Sequence, residues 1–527
     1  MKGIEIVIIL LAVVTALAQV TDKIKIPYPI LLVLVGIGIG FVPGLPHVSV
    51  DPDLVFLVFL PPVLYAAAWT TSWPDFKANG RPIGLLAVGC VLFTTTMVAV
   101  VAHYVIPDFG WAESFILGAI ISPPDAVAAT SATKGLGMPR RIITILEGES
   151  LVNDATGLIA YRYAIGAAAT GTFIFWLAGI NFFYVALVGI LVGLLVGVVI
   201  KWVHKITPNN PTTDTALTLI TPYIAYLGAE EIHTSGVLAV VTSGLYLSWN
   251  SSEFFTHQIR LQANSVWDTL IFLLNGVIFV LIGLQLPMIL ERIGTYSLGE
   301  LAGYGALVSL ATILFRIVWV YPATYLPRWL VKRIRQEDPA NIRYATVVAW
   351  SGMRGIVSLA AALALPLTFD NGAAFPHRDL IIFLTFCVIF STLVLQGLTL
   401  PGLVRWLRIS SHDTEGREEQ DARLQLTSAV IEHIEENYAL LEDSVLNQIK
   451  TKYEIRVQRI RKDQAQRKLD EQQIGEFHRI QHELLRLERA VLQRMRRSGQ
   501  ISEEVVRKLE YELDLDETRL ILEKGSG

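Results

Sequence analysis

Cysteine is nearly missing from this chain, with two among 527 residues. Cys90 and Cys387 each lie inside an apolar stretch, so they supply neither a disulfide framework nor a thiolate metal site and read as small buried hydrophobes. Charge is scarce over most of the length as well. Residues 411–527 hold 20 of the 43 Lys+Arg and 25 of the 47 Asp+Glu, which leaves the first 410 residues as one long apolar region. The basic residues of that tail are interleaved with more numerous acids, and a net charge of −4 offers no basic surface to nucleic acid. Proline is absent from residues 411–527, so nothing there interrupts helix.

What is present in quantity is apolar surface: 53% of the residues are hydrophobic. At about 20 residues per crossing the apolar runs predict an all-α polytopic membrane protein with thirteen spans, near 4–20, 27–43, 54–70, 83–105, 112–133, 142–167, 179–200, 213–229, 234–249, 266–286, 298–327, 344–366 and 380–404. Lys and Arg accumulate on the cytoplasmic side of a membrane. Alternate loops carry fifteen of them, from Lys23 and Lys25 through Lys134, Arg140, Arg141, Lys201 and Lys205 to Arg343, against Arg292 and Arg378 in the loops between. This places the amino terminus outside and the tail in the cytoplasm, in the cell (inner) membrane. Lys2, the apolar run after it and Ala16-Leu17-Ala18 imitate a cleavable signal. Cleavage would turn the basic loops outward, so the first helix is expected to be retained.

The chain therefore divides into a membrane domain, 1–410, and a helical cytosolic tail, 411–527, of about four helices. An apolar stripe of Phe477, Ile480, Leu484, Leu487 and Val491, spaced by three and four, suits bundling within the tail or across a dimer.

The sixth span departs from an ordinary membrane helix. Its middle reads Glu147-Gly148-Glu149-Ser150-Leu151-Val152-Asn153-Asp154, three carboxylates in eight residues. Each costs about 2.5 to 3.5 kcal/mol at the centre of a spanning helix, so such groups face a partner or a polar pathway and mark function. Glu147, Ser150 and Asp154 share one helical face, while Glu149 and Asn153 form a pair four apart on a neighbouring face. Asp154 lies roughly 20 Å along the axis from the cytoplasmic end, near the bilayer midplane. Glu147, two turns nearer the cytoplasm, is a candidate early contact for a cation. Arg162, two turns beyond Asp154, is a candidate for the outer pathway.

Two spans are interrupted. The fifth contains Ser122-Pro123-Pro124-Asp125, where two prolines remove backbone donors, and the twelfth contains Ser351-Gly352-Met353-Arg354-Gly355, where glycines flank a charge. The breaks are seven spans apart, so the two helices run in opposite directions. That spacing suits two inverted six-helix repeats with a connector, and broken helices at matching positions point to a substrate site at the midplane. Asp154, Asp125, Ser150 and carbonyls freed by the break offer hard oxygens to a small alkali cation. A proton and a cation exclude each other at one buried carboxylate, because either relieves the cost of its bare charge. If only loaded states cross, exchange is obligatory.

The Glu149-to-Asp154 run, the Asp125 break, Leu60-Pro61-Pro62 and Gly352-Met353-Arg354-Gly355 resemble the sodium/proton antiporters of the first monovalent cation:proton antiporter family. The resemblance covers the membrane domain. It implies that Asp154 carries both the proton and the transported cation, with Asn153 in place of the second carboxylate of electrogenic relatives. It also implies one-for-one electroneutral exchange, an elevator-like movement against a dimerisation domain in a homodimer, and no cofactor. Glu149 is expected to pair with Arg354 as a structural ion pair, and Arg316 to neutralise carbonyls at a broken helix.

The chain departs from that pattern in two places. Ala126, not proline, follows Asp125, and Tyr65-Ala66-Ala67-Ala68 occupies the stretch of the third span where relatives often carry an acid. The resemblance implies Na⁺ as the ion, and the missing acid makes K⁺ or Li⁺ the alternative. An intramembrane aspartyl protease would also use two membrane aspartates, but no Gly-x-Gly-Asp accompanies these. A channel requires a pore ring or filter, and a receptor signalling through its tail would carry no ion flux in purified vesicles.

Overall fold

The computed structural model describes residues 10–17, 27–42, 56–133, 136–170, 175–207, 210–293, 296–331, 341–368 and 374–409, with scattered residues between 424 and 518. The five residues of the tail stripe lie outside the described residues. Two compact units make up the chain, Met1–Ser411 and His412–Gly527. The first is nearly all helix, and among the described residues its extended structure is a single bridge between Thr368 and Ala374.

In chain order its helices are α1 (Tyr28–Gly40), α2 (Leu60–Thr70), α3 (Trp73–Ala78), α4 (Gly80–Val105), α5 (Trp111–Ile121), α6 (Ala126–Thr133), α7 (Arg140–Thr170) and α8 (Phe175–Ile206). There follow α9 (Pro211–Glu231), α10 (Gly236–Asn250), α11 (His257–Arg292), α12 (Leu298–Leu330), α13 (Ile342–Trp350), α14 (Ile356–Leu363) and α15 (Arg378–Trp406). Among the described residues six segments are long and apolar enough to cross a bilayer: α4, α5 with α6, most of α8, most of α11, α12 and α15. The sequence leads to an expectation of thirteen. Of the other seven, the span near 4–20 lies partly outside the described residues, and the rest fall on helices that are charged, short or broken. Thus α7 has 31 residues but carries the carboxylate run, α10 has 15, and α13 and α14 have nine and eight on either side of a gap.

Apolar side chains on the outer helices face outward, as they do toward lipid. Phe183 and Leu195 of α8 are 74% and 64% exposed. Inside, buried residues form two cores. One gathers side chains of α4, α5, α13 and α15, and the other those of α2, α9 and α10. Helix α7 contributes to both, Ile142 and Leu146 to the first and Leu151 and Ala155 to the second. So does α11, through Val280 and Ile282 on one side and Ile259 and Trp267 on the other. The carboxylate helix therefore lies where the cores adjoin.

Where no water drives helices together, small residues let backbones approach. A Cβ at Gly36 of α1 would run into the Val280 carbonyl of α11, and one at Gly283 into the Val33 carbonyl. Both helices are thus packed backbone to backbone. Gly36→Val should cost roughly 1–3 kcal/mol by overpacking, read as a lower melting temperature and a smaller monodisperse fraction of the purified protein.

Candidate functional site

Helix α5 stops at Ile121 because Pro123 and Pro124 have no N–H to continue its ladder. The last carbonyls of a helix need other donors, and here they find them on distant elements. Ile121 O accepts from Arg354 Nε at 2.8 Å, and Pro124 O from Asn153 Nδ2 at 2.7 Å. The second break behaves alike. At the end of α13, Val348 O accepts from Arg316 Nη2 at 3.1 Å, while Gly352 O accepts from Arg354 Nη1. The two interruptions are also joined directly, by the Asp125 N–H donating to Met353 O at 2.7 Å. The N–H of Arg354 in turn donates to Thr392 Oγ1 at 3.1 Å, at a π-helical turn of α15 spanning Thr392–Gln396.

These contacts settle where the acids point. Asp125 accepts from Val127 N–H at 2.8 Å through Oδ1, capping α6. Its Oδ2 lies against Gly355, where a Cβ would displace the Asp125 carboxylate. Ser150 Oγ accepts from Ala126 N–H at 3.3 Å. Asp154, 8% exposed, receives no hydrogen bond among the described residues. Together with Asp125 and Ser150 it borders a cavity of about 60 Å³, walled also by Leu60 of α2 and Asn275 of α11. A cavity of this size has room for a small ion with a few waters.

The pairing of Glu149 differs from the sequence expectation. Its carboxylate is held by Arg316 of α12, not by Arg354: Nη1 to Oε1 at 2.5 Å and Nη2 to Oε2 at 2.8 Å, both residues 1% exposed. The reason is geometric. Arg316 projects from the middle of a continuous helix across from Glu149, whereas Arg354 sits within the break and its guanidinium is drawn to the carbonyls of both interruptions. Arg316 also reaches Val348 O at the end of α13, in addition to the ion pair.

The structure brings Asp154, Asp125, Ser150 and Asn153 together and sets others apart. Arg162 pairs with Glu230 Oε2 at 2.7 Å and joins α7 to the end of α9, with half of its side chain exposed. Glu147 is half-buried on α7 and does not border the cavity. Thr392, which braces the backbone of Arg354, escaped the sequence reading. A lone hydroxyl in an apolar span gives no signal of what it holds.

Removing one member of a buried ion pair leaves an uncompensated charge, at about 3–5 kcal/mol. Glu149→Gln and Arg316→Met should each lower the melting temperature and yield of purified protein sharply. The double variant Glu149→Gln/Arg316→Met should lose less than the sum of the two single losses. Full additivity of the two losses would show that the pair is not coupled.

A family model described as "Sodium/hydrogen exchanger, transmembrane" matches residues 8–406. The chain is 32% identical over 504 residues to YjcE of Escherichia coli, described as an uncharacterized Na(+)/H(+) exchanger, covering 90% of this chain and 91% of that one. It is also 32% identical over 364 residues to the sodium, potassium, lithium and rubidium/H(+) antiporter of Bacillus subtilis, covering 67% of this chain and 54% of the other. Among solved structures, the sodium proton antiporter MjNhaP1 of Methanocaldococcus jannaschii shares the fold, with a TM-score of 0.61 at 20% identity over 77% of this chain and 98% of its own. With the helical bundle and the carboxylates at its crossed breaks, these matches establish that the chain belongs to the sodium/hydrogen exchanger family, whose members are multi-pass cation/proton antiporters and not enzymes.

Proposed function

We propose that this antiporter exchanges Na⁺ for H⁺ one for one at Asp154, with Asp125, Ser150 and Asn153 forming the rest of the site. One contrast carries the reading. The carboxylate of Glu149 is fully engaged by Arg316, whereas that of Asp154, five residues on, has no donor among the described residues and borders the cavity. A bare carboxylate there is costly, and either a proton or an alkali cation removes the cost. The two compete for the same oxygens.

Asn153 supports a one-for-one count, since it holds Pro124 O without adding a second charge beside Asp154. K⁺ or Li⁺ in place of Na⁺ is the second reading, favoured by the run Tyr65-Ala66-Ala67-Ala68, which lacks a third carboxylate. The name of the Bacillus relative includes several alkali ions. Alternating access is assigned to movement of one core against the other in a homodimer, with α7 and α11 at the junction. The same proposal takes the membrane domain, 1–410, as thirteen crossings in two inverted repeats. It puts Arg354 and Arg316 in supporting roles and the 411–527 tail in the cytoplasm beneath an inner membrane.

Purified protein in vesicles with an internal pH dye tests this reading. Na⁺ added outside should draw protons from within, and clamping the membrane potential should leave the rate unchanged. Acceleration by the clamp would mean that net charge moves. Asp154→Asn should reduce the response to that of protein-free vesicles at equal insertion, and normal exchange by this variant overturns the assignment. Lithium and potassium in the same assay rank the ions.

A further inference from the structure

We infer that Ser358 of α14 and Asn275 of α11 supply two further oxygens to the transported cation and set which alkali ion the site prefers. The inference rests on the reading of Asp154 and Asp125 as the exchange site. Ser358 is 2% exposed, yet its hydroxyl has no hydrogen-bond partner among the described residues, and its side chain borders the cavity shared by Asp154 and Asp125.

Many buried hydroxyls of this bundle donate to the carbonyl four residues back, as Ser309 does to Gly305 O at 2.7 Å, Thr312 to Val308 O at 2.7 Å and Thr385 to Ile381 O at 2.8 Å, whereas Ser351 Oγ, in the same gap that precedes Ser358, is also without a partner among the described residues. Such back-bonding is the default for Ser and Thr within helices. For Ser358 the fourth residue back is Arg354, inside the non-helical gap, so the usual acceptor is not in place. The break thereby frees the hydroxyl. It also aims it, since Gly355 and Ser358 lie three apart on one helical face, and Gly355 is the residue pressed against Asp125 Oδ2.

Asn275 approaches from another wall. It is half-buried on α11, its amide has no partner among the described residues, and it borders the same cavity. A count of donors gives these groups a task. Asp154 offers two oxygens, Asp125 its Oδ2 and Ser150 one lone pair, and a hard cation takes roughly six oxygens or more. A hydroxyl and an amide carbonyl complete the set. They do so without charge, where α2 offers Tyr65-Ala66-Ala67-Ala68 and no carboxylate. Neutral oxygens of lower field strength discriminate less against the larger alkali ions, and they leave the proton count untouched.

The test uses the full chain in vesicles with an internal pH dye and Na⁺, Li⁺ and K⁺ as probes. Ser358→Ala and Asn275→Leu should each raise the half-saturating Na⁺ concentration about 3- to 10-fold, the weight of one neutral ligand, and change the order or spacing of the three ions. Maximal rate should fall much less, and the proton count per cation should stay as in the parent. Ser358→Cys replaces a hard donor by a soft one and should shift preference from Na⁺ toward Tl⁺. It also decides the matter if Ser358→Ala does not fold. Stabilisation of the purified protein by Na⁺ against heat, read without turnover, should weaken in parallel. Unchanged half-saturation and ion order in folded variants overturn the ligand assignment. Asp154→Asn in the same vesicles separates the two levels. If it is inactive while the Ser358 and Asn275 variants behave as the parent, only this inference falls. If it still exchanges, the underlying site reading falls with it.

Discussion

Two helices interrupted inside a bilayer leave carbonyls that no water can satisfy, and the arrangement of this protein follows from how they are answered. Arg354, Arg316 and Asn153 donate to Ile121, Gly352, Val348 and Pro124, and the N–H of Asp125 closes on Met353 O. Donors from three separate segments thus converge on the crossing. With those donors spent on backbone, the carboxylate of Asp154 has no hydrogen-bond donor among the described residues.

The same helix carries two acids with opposite fates. Glu149 and Asp154 are five residues apart, about 140° around the axis, so one faces α12 and the other the cavity. Arg316 holds the first in a two-pronged grip buried on all sides. Such a pair contributes little net stability over apolar packing, but it fixes the rotation of α7. Rotation is what keeps Asp154 toward Asp125.

Much of this was legible in the chain. Pro123, Pro124 and the glycines around Arg354 announce the interruptions because their effect on the backbone is local. Carboxylates in an apolar run announce the site because hydrocarbon tolerates them nowhere else. The partner of Glu149 was not legible, since two arginines compete for it and the choice depends on where α12 crosses α7. The extent of α11 was also missed. The apolar run suggests 266–286, yet the helix begins at His257, set by the Thr256 side chain accepting from Ile259 N–H. Hydropathy reports the bilayer, and capping reports the helix. Ser358 passed unnoticed for a related reason, since a serine reads as a back-bonded filler until the gap before it is seen.

Asn153 has a consequence of its own. Its amide nitrogen grips Pro124 with a hydrogen that no change in acidity removes. A carboxyl group in its place would hold that carbonyl only while protonated, and the crossing would loosen each time the proton left. With an amide, the scaffold around the proposed exchange site keeps its shape whether its carboxylates are protonated or charged.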